Sequence, residues 1–215
     1  MEAGERDAAV RTIARDGDLD RYVSALFAPR ACREHLFGLY AFNVELARIG
    51  EQVSEPQLGE IRLQWWRDAL DRACAGETTG QPVADALGLA VRQCDLSRQS
   101  LTDLIDARRF DVSVKIMPNT AALDDCLAKT AGALFKLASE VGMTGGRTAE
   151  LGALGEAVRA AGIAYGLTGL MRALPVHARR GRVDIPEDAL LRHGTSPAKL
   201  LAGEASEALT EVLAD

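Results

Sequence analysis

The chain has 215 residues and a formal net charge of −6, and its sequence pI is about 5.2. Its 47% hydrophobic and 26% charged residues are typical of a folded globular protein and exclude collagen-like, low-complexity and broadly disordered chains. Because the balance of charge is acidic, we expect no nucleic-acid partner, and any anion-binding site must be a local basic patch.

Neither a secretory signal nor a membrane span is predicted. The acidic N-terminal segment lacks the apolar stretch of a signal peptide. The longest charge-free apolar stretch, residues 160–171, is shorter than the roughly 20 residues that a spanning helix needs. The cysteines, Cys32, Cys74, Cys94 and Cys126, form no CxxC or Cys/His pattern, which predicts free thiols rather than a zinc site or disulfides. We expect a cytoplasmic protein.

The spacing of apolar residues predicts an all-α fold class. These residues recur with a period near 3.6 along the whole chain, and the alternation typical of strands is almost absent. Caps and breakers divide the pattern into helices. In chain order these are 19–27, ended by Pro29; 30–53; 56–76, opened by a capping box from Ser54; 82–94; a helix from Ser97 that carries Phe110; 120–140; 148–174, ended by Pro175; and one from Ser196. No repeat or linker divides them, so we predict one domain, 1–215, of about seven or eight helices.

The predicted helix 30–53 carries a row of charged residues. Glu45, Arg48 and Glu51 follow one another at intervals of three, which places them on one face. They form either an exposed ladder of ion pairs or a polar strip that faces a central cavity. The residues alone favour the ladder, because exposed pairs of this kind are common and weak.

The predicted helix 56–76 carries a second cluster around its two tryptophans. Arg62 and Trp66 lie four residues apart, so the guanidinium can rest against the indole ring. The alternative, which we favour, is that Trp65 and Trp66 belong to the core or to an interface.

The predicted helix 148–174 contains glycines, each of which costs about 1 kcal/mol relative to Ala in a helix interior. Such glycines let another backbone or a ligand approach closely, and we favour close helix packing as the cause. These residues are Gly155, Gly162, Gly166 and Gly169.

A basic segment, residues 172–182, follows this helix and contains no carboxylate. Because arginine forks match phosphate and carboxylate groups, the segment is either an anion site or a solvated basic loop. Its basic residues are Arg172, His177, Arg179, Arg180 and Arg182.

Together these segments resemble the squalene/phytoene synthase family from about Leu19 to Gly194. The helix around Tyr40, the glycine-bearing helix that leads to Arg172, and the stretch 181–186 (Gly-Arg-Val-Asp-Ile-Pro) fall in the family's order. The resemblance implies an isoprenoid-synthase fold of helices around a central cavity, with the final helices of that fold missing from this chain. It also implies chemistry in which Mg²⁺, held by aspartate pairs on two facing helices, activates prenyl diphosphates for head-to-head condensation.

The sequence departs from that family at both aspartate motifs. Residues 47–51 read Ala-Arg-Ile-Gly-Glu and residues 173–177 read Ala-Leu-Pro-Val-His. We therefore predict no catalytic residue, no metal ligand and no cofactor. The degenerate motif positions are Ala47, Glu51, Ala173 and His177.

Four short segments are more similar to a subgroup of the family that lacks the aspartates and includes mitochondrial complex I assembly factors. That similarity implies action by binding, in the assembly of a respiratory enzyme at the membrane, and leaves the bound molecule open. The segments are 41–47, 53–55, 62–66 and 170–175.

Three hypotheses remain. The first is a catalytically degenerate family member that binds an isoprenoid diphosphate, a lipid or a partner protein, in the cytoplasm or peripherally at the inner face of the membrane. The second is an active prenyltransferase, for which alone Mg²⁺ is expected, with Glu45, Glu51 and the arginines in place of the usual aspartates. The third is a helical interaction domain without a ligand. The predicted ligand-binding residues are Tyr40, Glu45, Arg48, Arg62, Arg172, Arg179, Arg180 and Arg182.

Overall fold

The computed structural model describes residues 3–53, 55–113, 115–143, 148–204 and 206–214. Over these residues the chain forms α-helices, one π-helical segment and no β-strand, so the predicted all-α class is confirmed. The helices are α1 (Ala3–Gly17), α2 (Leu19–Leu26), α3 (Arg30–Gln52), α4 (Pro56–Cys74), α5 (Pro82–Cys94), α6 (Arg98–Ala107), α7 (Arg109–Ser113), α8 (Thr120–Leu127), the π-helical segment (Ala128–Gly132), α9 (Ala133–Gly142), α10 (Thr148–Arg179), α11 (Glu187–Arg192), α12 (Pro197–Leu201) and α13 (Glu207–Ala214).

Helix α3 is the central element of the core. It packs against α1, α5 and α9, and Leu39, Phe42 and Leu46 on it are completely buried. Each of these side chains contributes roughly 1.5–3 kcal/mol by leaving water, so the position of α3 is strongly determined. Trp66 of α4 is also buried and meets Phe42 edge to face, whereas its neighbour Trp65 is 45% exposed. The prediction of core tryptophans therefore holds for one of the two.

Side-chain caps begin several helices where the sequence predicts them. The Ser97 hydroxyl accepts a hydrogen bond from the Ser100 amide at the start of α6, and the Asn119 amide oxygen accepts one from the Ala122 amide at the start of α8. The predicted bounds of α5 match the structure at both ends. The capping box predicted from Ser54 lies outside the described residues.

Two of the predicted helices are interrupted, so the described residues contain more than the seven or eight helices predicted. The helix from Ser97 ends at Ala107, and Phe110 lies on α7 instead, because the Arg108 amide closes a tight turn onto the Ile105 carbonyl. The predicted helix 120–140 widens into the π-helical segment before it continues as α9. Neither change of pitch has a strong local signal.

The prediction that Pro175 ends its helix is wrong, since α10 continues to Arg179. Proline removes the amide that would bond the Met171 carbonyl, but both residues are exposed, so water can satisfy that carbonyl. His177 and Arg179 lie in the last turn, where basic side chains interact favourably with the helix dipole.

The glycines of α10 have two different surroundings. A Cβ on Gly162 would lie 2.7 Å from the Cα of Gly132, and one on Gly166 would lie 2.7 Å from the Ala131 Cβ. These two glycines allow close packing against the π-helical segment, as predicted. At Gly155 and Gly169 nothing lies within 4 Å of the added atom, so close packing does not explain them. Within the described residues no helix has the length and apolar character needed to cross a bilayer.

Candidate functional site

A cavity of about 660 Å³ lies between α3, α7, α8, the π-helical segment and α10. Its walls are part apolar and part charged, and they include residues of both degenerate motifs. The apolar side chains are those of Ala47, Val53, Val112, Met117, Leu127, Ala131 and Leu170. The charged and polar side chains are those of Arg21, Asn43, Glu51, Arg108, Asp111, Lys115, Thr130, Tyr165, His177, Arg180 and Arg182.

Two glycines bring α7 to the wall of this cavity. A Cβ on Gly50 would lie 2.9 Å from the carbonyl oxygen of Asp111, and one on Gly59 would lie 2.4 Å from a Cγ atom of Val112. Only glycine leaves room for so close an approach of α7 to α3 and α4. Asp111 is thereby placed beside the cavity.

A short backbone pairing brings in the segment that follows α10. The Val183 amide donates to the Lys115 carbonyl (2.8 Å), and the Met117 amide donates to the Val183 carbonyl (2.9 Å). This parallel bridge fixes the residues on either side of Val183 against the segment between α7 and α8. As a result Arg182 and Asp184 lie next to α7.

Asp111 accepts hydrogen bonds from two arginines that are distant in sequence. One carboxylate oxygen accepts from Nη1 of Arg108 (2.9 Å), and the other accepts from Nη2 of Arg182 (2.8 Å). Arg108 also donates from Nη2 to the amide oxygen of Asn43 (2.9 Å), which is buried on α3. Because these groups are mostly buried, the attraction between them is screened less than it would be at the surface.

Asp184 continues the same series of contacts and is only 4% exposed. Its carboxylate accepts a hydrogen bond from Nε of Arg182 (2.6 Å) and is hydrogen-bonded to Nδ1 of His177. Burial alone would raise the pKa of Asp184, but the bonds from His177 and Arg182 outweigh it and hold the pKa below the usual value. The pKa of Arg182 is raised: burial acts to lower it, and the charges of Asp111 and Asp184 outweigh that effect. We call Asn43, Arg108, Asp111, Arg182, Asp184 and His177 the ion-pair chain.

An ion pair links the first degenerate motif to the segment just after the second. Glu51, the only carboxylate left at the first motif, accepts a hydrogen bond from Nη1 of Arg180 (2.8 Å), three residues beyond His177 of the second motif. Both side chains are about half exposed, so this pair lies at the mouth of the cavity.

Arg21 occupies another part of the cavity wall. Its guanidinium lies 4.3 Å from the centre of the Tyr165 ring, within cation–π range, and Nη1 donates to Asp18 (2.5 Å). Tyr40, predicted to bind ligand, is buried nearby in the core. Burial raises the pKa of its hydroxyl, and the charge of Arg21 acts in the opposite direction.

The donor set of the cavity does not fit Mg²⁺, the ion that the family's chemistry implies. A magnesium site needs carboxylates that are free to bind the metal and its waters. The carboxylates of Glu51 and Asp111 instead accept hydrogen bonds from arginines, and Asp184 is shared between Arg182 and His177. The described residues contain no group of three or more His, Cys, Asp or Glu side chains that could hold a metal.

The structure brings some of the predicted site residues together. Ala47, Glu51, His177, Arg180 and Arg182 line the cavity. Their part in binding a ligand stays a prediction. So does the choice between an anion site and a basic loop, although Arg180 and Arg182 already have carboxylate partners.

Other predicted site residues lie outside the cavity wall as described. Glu45 and Arg48 form a partly exposed ion pair of 3.6 Å, which is the ladder alternative, but Glu51 does not join it. Arg62 donates to the side chain of Gln52, and the exposed Arg172 lies 3.5 Å from Asp20. Arg179 is exposed at the end of α10, and Ala173 and Tyr40 are not among the lining residues.

Sequence reasoning missed several residues of the cavity wall and the ion-pair chain. They are Arg21, Asn43, Arg108, Asp111 and Asp184. A signal existed for two of them, because Arg108 and Asp111 are three residues apart in a helical segment, where such pairs meet. For Asp184 the signal was its place within the predicted stretch 181–186. Arg21 and Asn43 had no local signal, since their partners at the cavity are distant in sequence.

Comparison with known proteins agrees with this architecture. A family model described as squalene/phytoene synthase matches residues 14–215. The chain belongs to the squalene/phytoene synthase family. The crystal structure of squalene synthase HpnC from Alicyclobacillus acidocaldarius superimposes with a TM-score of 0.81 over 98% of this chain and 77% of that one, at 23% sequence identity. At that identity the superposition supports the fold alone.

Two kinds of relative match most of the chain. Complex I assembly factor 6 from Bos taurus is 32% identical over 215 residues, which are 100% of this chain and 63% of that protein. Phytoene synthase from Arthrospira platensis is 27% identical over 203 residues, covering 89% of this chain and 64% of that enzyme. The chain thus spans less than two thirds of the length of these relatives.

Proposed function

We propose that this protein is a non-catalytic member of the squalene/phytoene synthase family that acts by binding in the assembly of respiratory complex I. The observation that carries the proposal is the ion pair between Glu51 of the first degenerate motif and Arg180, just after the second, at the cavity. Prenyl transfer needs the charge of the departing diphosphate to be neutralised at these positions, usually by metal ions. Here an internal carboxylate and an arginine neutralise each other.

The similarity to assembly factor 6 supports the second half of the proposal. That relative aligns with the whole of this chain, at a higher identity than the phytoene synthase from Arthrospira platensis. That relative is named for the assembly of complex I rather than for a reaction. We extend the same role to this chain, with a protein partner among the complex I subunits or their assembly intermediates.

A gene deletion in the source organism tests the role in assembly. We expect the deletion strain to lose fully assembled complex I on native gels and to lose NADH:ubiquinone oxidoreductase activity, and we expect the wild-type gene to restore both. The amount of another respiratory complex is the internal control. Normal amounts of assembled complex I in the deletion strain would contradict the proposal.

An assay of the purified protein tests the absence of catalysis. It is incubated with farnesyl or geranylgeranyl diphosphate and Mg²⁺, and the extract is analysed for condensed hydrocarbon products. We expect none, and formation of squalene, phytoene or a related product would establish the prenyltransferase alternative. Cell fractionation tests the location: a peripheral protein at the inner face of the membrane is released from membranes by high salt or carbonate.

A further inference from the structure

Most charged side chains of the cavity wall are already paired with another charged residue. Arg108 and Arg182 share Asp111, and Arg182 also bonds Asp184. At the mouth Arg180 is paired with Glu51. Arg21 is likewise paired with Asp18, which lies just outside the wall. Lys115 is the one cation of the cavity wall without an ion-pair partner among the described residues, and it is exposed.

Two of the three nitrogens of each inner arginine are already hydrogen-bonded. Arg182 donates from Nε to Asp184 and from Nη2 to Asp111. Arg108 donates from Nη1 to Asp111 and from Nη2 to Asn43. The remaining Nε of Arg108 is fully buried, so a ligand cannot reach it. A phosphate binds arginine most strongly through two parallel N–H donors, and on each of these arginines it would have to share nitrogens that already bond other side chains.

An anion entering this cavity would therefore meet two penalties. To bond one of these arginines through two parallel donors it would have to compete with Glu51 or Asp111, and that carboxylate would remain nearby as a like charge. An uncharged ligand meets neither penalty. It can lie along the apolar part of the wall, formed by residues such as Val112, Leu127 and Leu170, while a hydroxyl or carbonyl group accepts a hydrogen bond from an exposed donor of Arg180.

We infer that the cavity binds an uncharged amphiphile, an apolar chain with a hydroxyl or carbonyl head, in preference to the corresponding diphosphate and without a metal ion. The volume of about 660 Å³ is within the range of roughly 300–1,000 Å³ that is usual for ligand pockets. This inference rests on the proposed non-catalytic function and deepens it. The carboxylates of the ion-pair chain and of Glu51 then act as internal counter-ions of the arginines. They take the place that a diphosphate would need.

Farnesol and farnesyl diphosphate are suitable probes, because they share one apolar chain and differ in the charged group. Binding to the full chain is measured by equilibrium dialysis with radiolabelled probe, once with Mg²⁺ and once with EDTA. We expect farnesol to bind at least tenfold more tightly than its diphosphate, with less than a twofold difference between Mg²⁺ and EDTA.

A pair of variants tests whether internal carboxylates exclude the anion. Glu51→Gln frees Arg180, and we expect it to improve binding of farnesyl diphosphate at least fivefold more than binding of farnesol. Because the pair is half exposed, this variant keeps its fold. The matched control is Glu34→Gln, which frees Arg11 from a similarly exposed pair away from the cavity and should change neither affinity.

A second pair of variants tests whether the ligand lies in this cavity. Gly169 lines it and Gly155 does not, and both have open space at the Cβ position on the same helix. We expect Gly169→Phe to weaken farnesol binding at least tenfold and Gly155→Phe to leave it unchanged.

The inference is overturned if the wild-type chain binds the diphosphate as tightly as the alcohol, if binding requires Mg²⁺, if neither probe binds, or if Gly169→Phe binds farnesol normally. None of these results tests the role in complex I assembly, which is tested by the deletion strain. Conversion of the diphosphate to product would overturn the non-catalytic function as well.

Discussion

Glu51 and Arg180 are separated by 129 residues in sequence and form an ion pair of 2.8 Å at the mouth of the cavity. Glu51 ends the first degenerate motif on α3, and Arg180 follows α10, which carries the second. The two helices that would face each other across a metal ion are thus connected by the protein's own charges.

The Glu51–Arg180 pair should contribute little to stability. Both side chains are more than half exposed, and exposed pairs contribute about 0.2–1 kcal/mol because water and salt screen them. A double-mutant cycle with Glu51→Gln and Arg180→Gln, followed by urea unfolding, should give a coupling energy below about 1 kcal/mol. A coupling above about 2 kcal/mol would assign the pair to the core of the fold instead.

Asp111 should be essential for stability. Replacing it by Asn leaves Arg108 and Arg182, both mostly buried, short of a counter-ion, and breaking a buried pair costs about 3–5 kcal/mol. Urea unfolding of Asp111→Asn measures this loss. The control is Asp106→Asn, whose carboxylate is 46% exposed and pairs with Arg67; it should cost less than about 1 kcal/mol. Equal losses in the two variants would contradict the structure.

Asp184 should make stability depend on pH in the acid range. Its pKa in the folded state lies below the usual 3.8, so the folded state favours the carboxylate. The resulting stabilisation is complete above the unfolded-state pKa and is lost as the pH falls through the lower folded-state pKa.

We therefore expect Asp184→Asn to destabilise the protein by about 3 kcal/mol at pH 7, and the difference from wild type to shrink as the pH is lowered from 5 to 2. Free energies of unfolding in urea across this range measure it. Asp71→Asn, at an exposed pair with Arg98, is the control and should show a small, nearly constant difference. A difference for Asp184→Asn that grows on acidification would contradict a lowered pKa of Asp184 in the folded state.

Replacement by alanine should change the stability of the protein in opposite directions at Gly162 and at Gly155. At Gly162 the new Cβ would lie 2.7 Å from the backbone of Gly132, which cannot move aside cheaply, so Gly162→Ala should destabilise by at least about 1–3 kcal/mol. At Gly155 nothing lies within 4 Å, so Gly155→Ala should stabilise by about 0.5–1 kcal/mol through helix propensity. Thermal unfolding followed by circular dichroism checks both signs.

Replacement by alanine should destabilise the protein much more at Trp66 than at the adjacent Trp65. Trp66 is 5% exposed and meets Phe42 edge to face at 5.2 Å, so Trp66→Ala should cost about 3–5 kcal/mol. Trp65 is 45% exposed, and Trp65→Ala should cost about 1 kcal/mol or less. Unfolding followed by circular dichroism avoids the loss of fluorescence in either variant. Similar costs would mean that both rings are buried in solution.

Local signals explain which elements could be predicted. The bounds of α5 follow from Gln81 as its cap and Pro82 in its first turn, both contained in a few neighbouring residues. The prediction that Pro175 ends its helix is wrong because the outcome does not depend on neighbouring residues alone. Whether a proline ends a helix depends on how the freed carbonyl is satisfied, and here Met171 and Pro175 are both exposed, so water can satisfy it.

By itself the sequence determined the all-α class, most helix positions, the loss of the aspartates and the family, because each of these depends on residues near one another in the chain. Only the tertiary structure decided which charges meet. Asp111 lies 71 residues from Arg182, Asn43 lies 65 from Arg108, and Glu51 lies 129 from Arg180. The composition of residues 172–182 alone suggested a basic patch without carboxylate partners. The tertiary structure brought Glu51 to Arg180 and Asp111 to Arg182, and so paired two of its arginines with carboxylates.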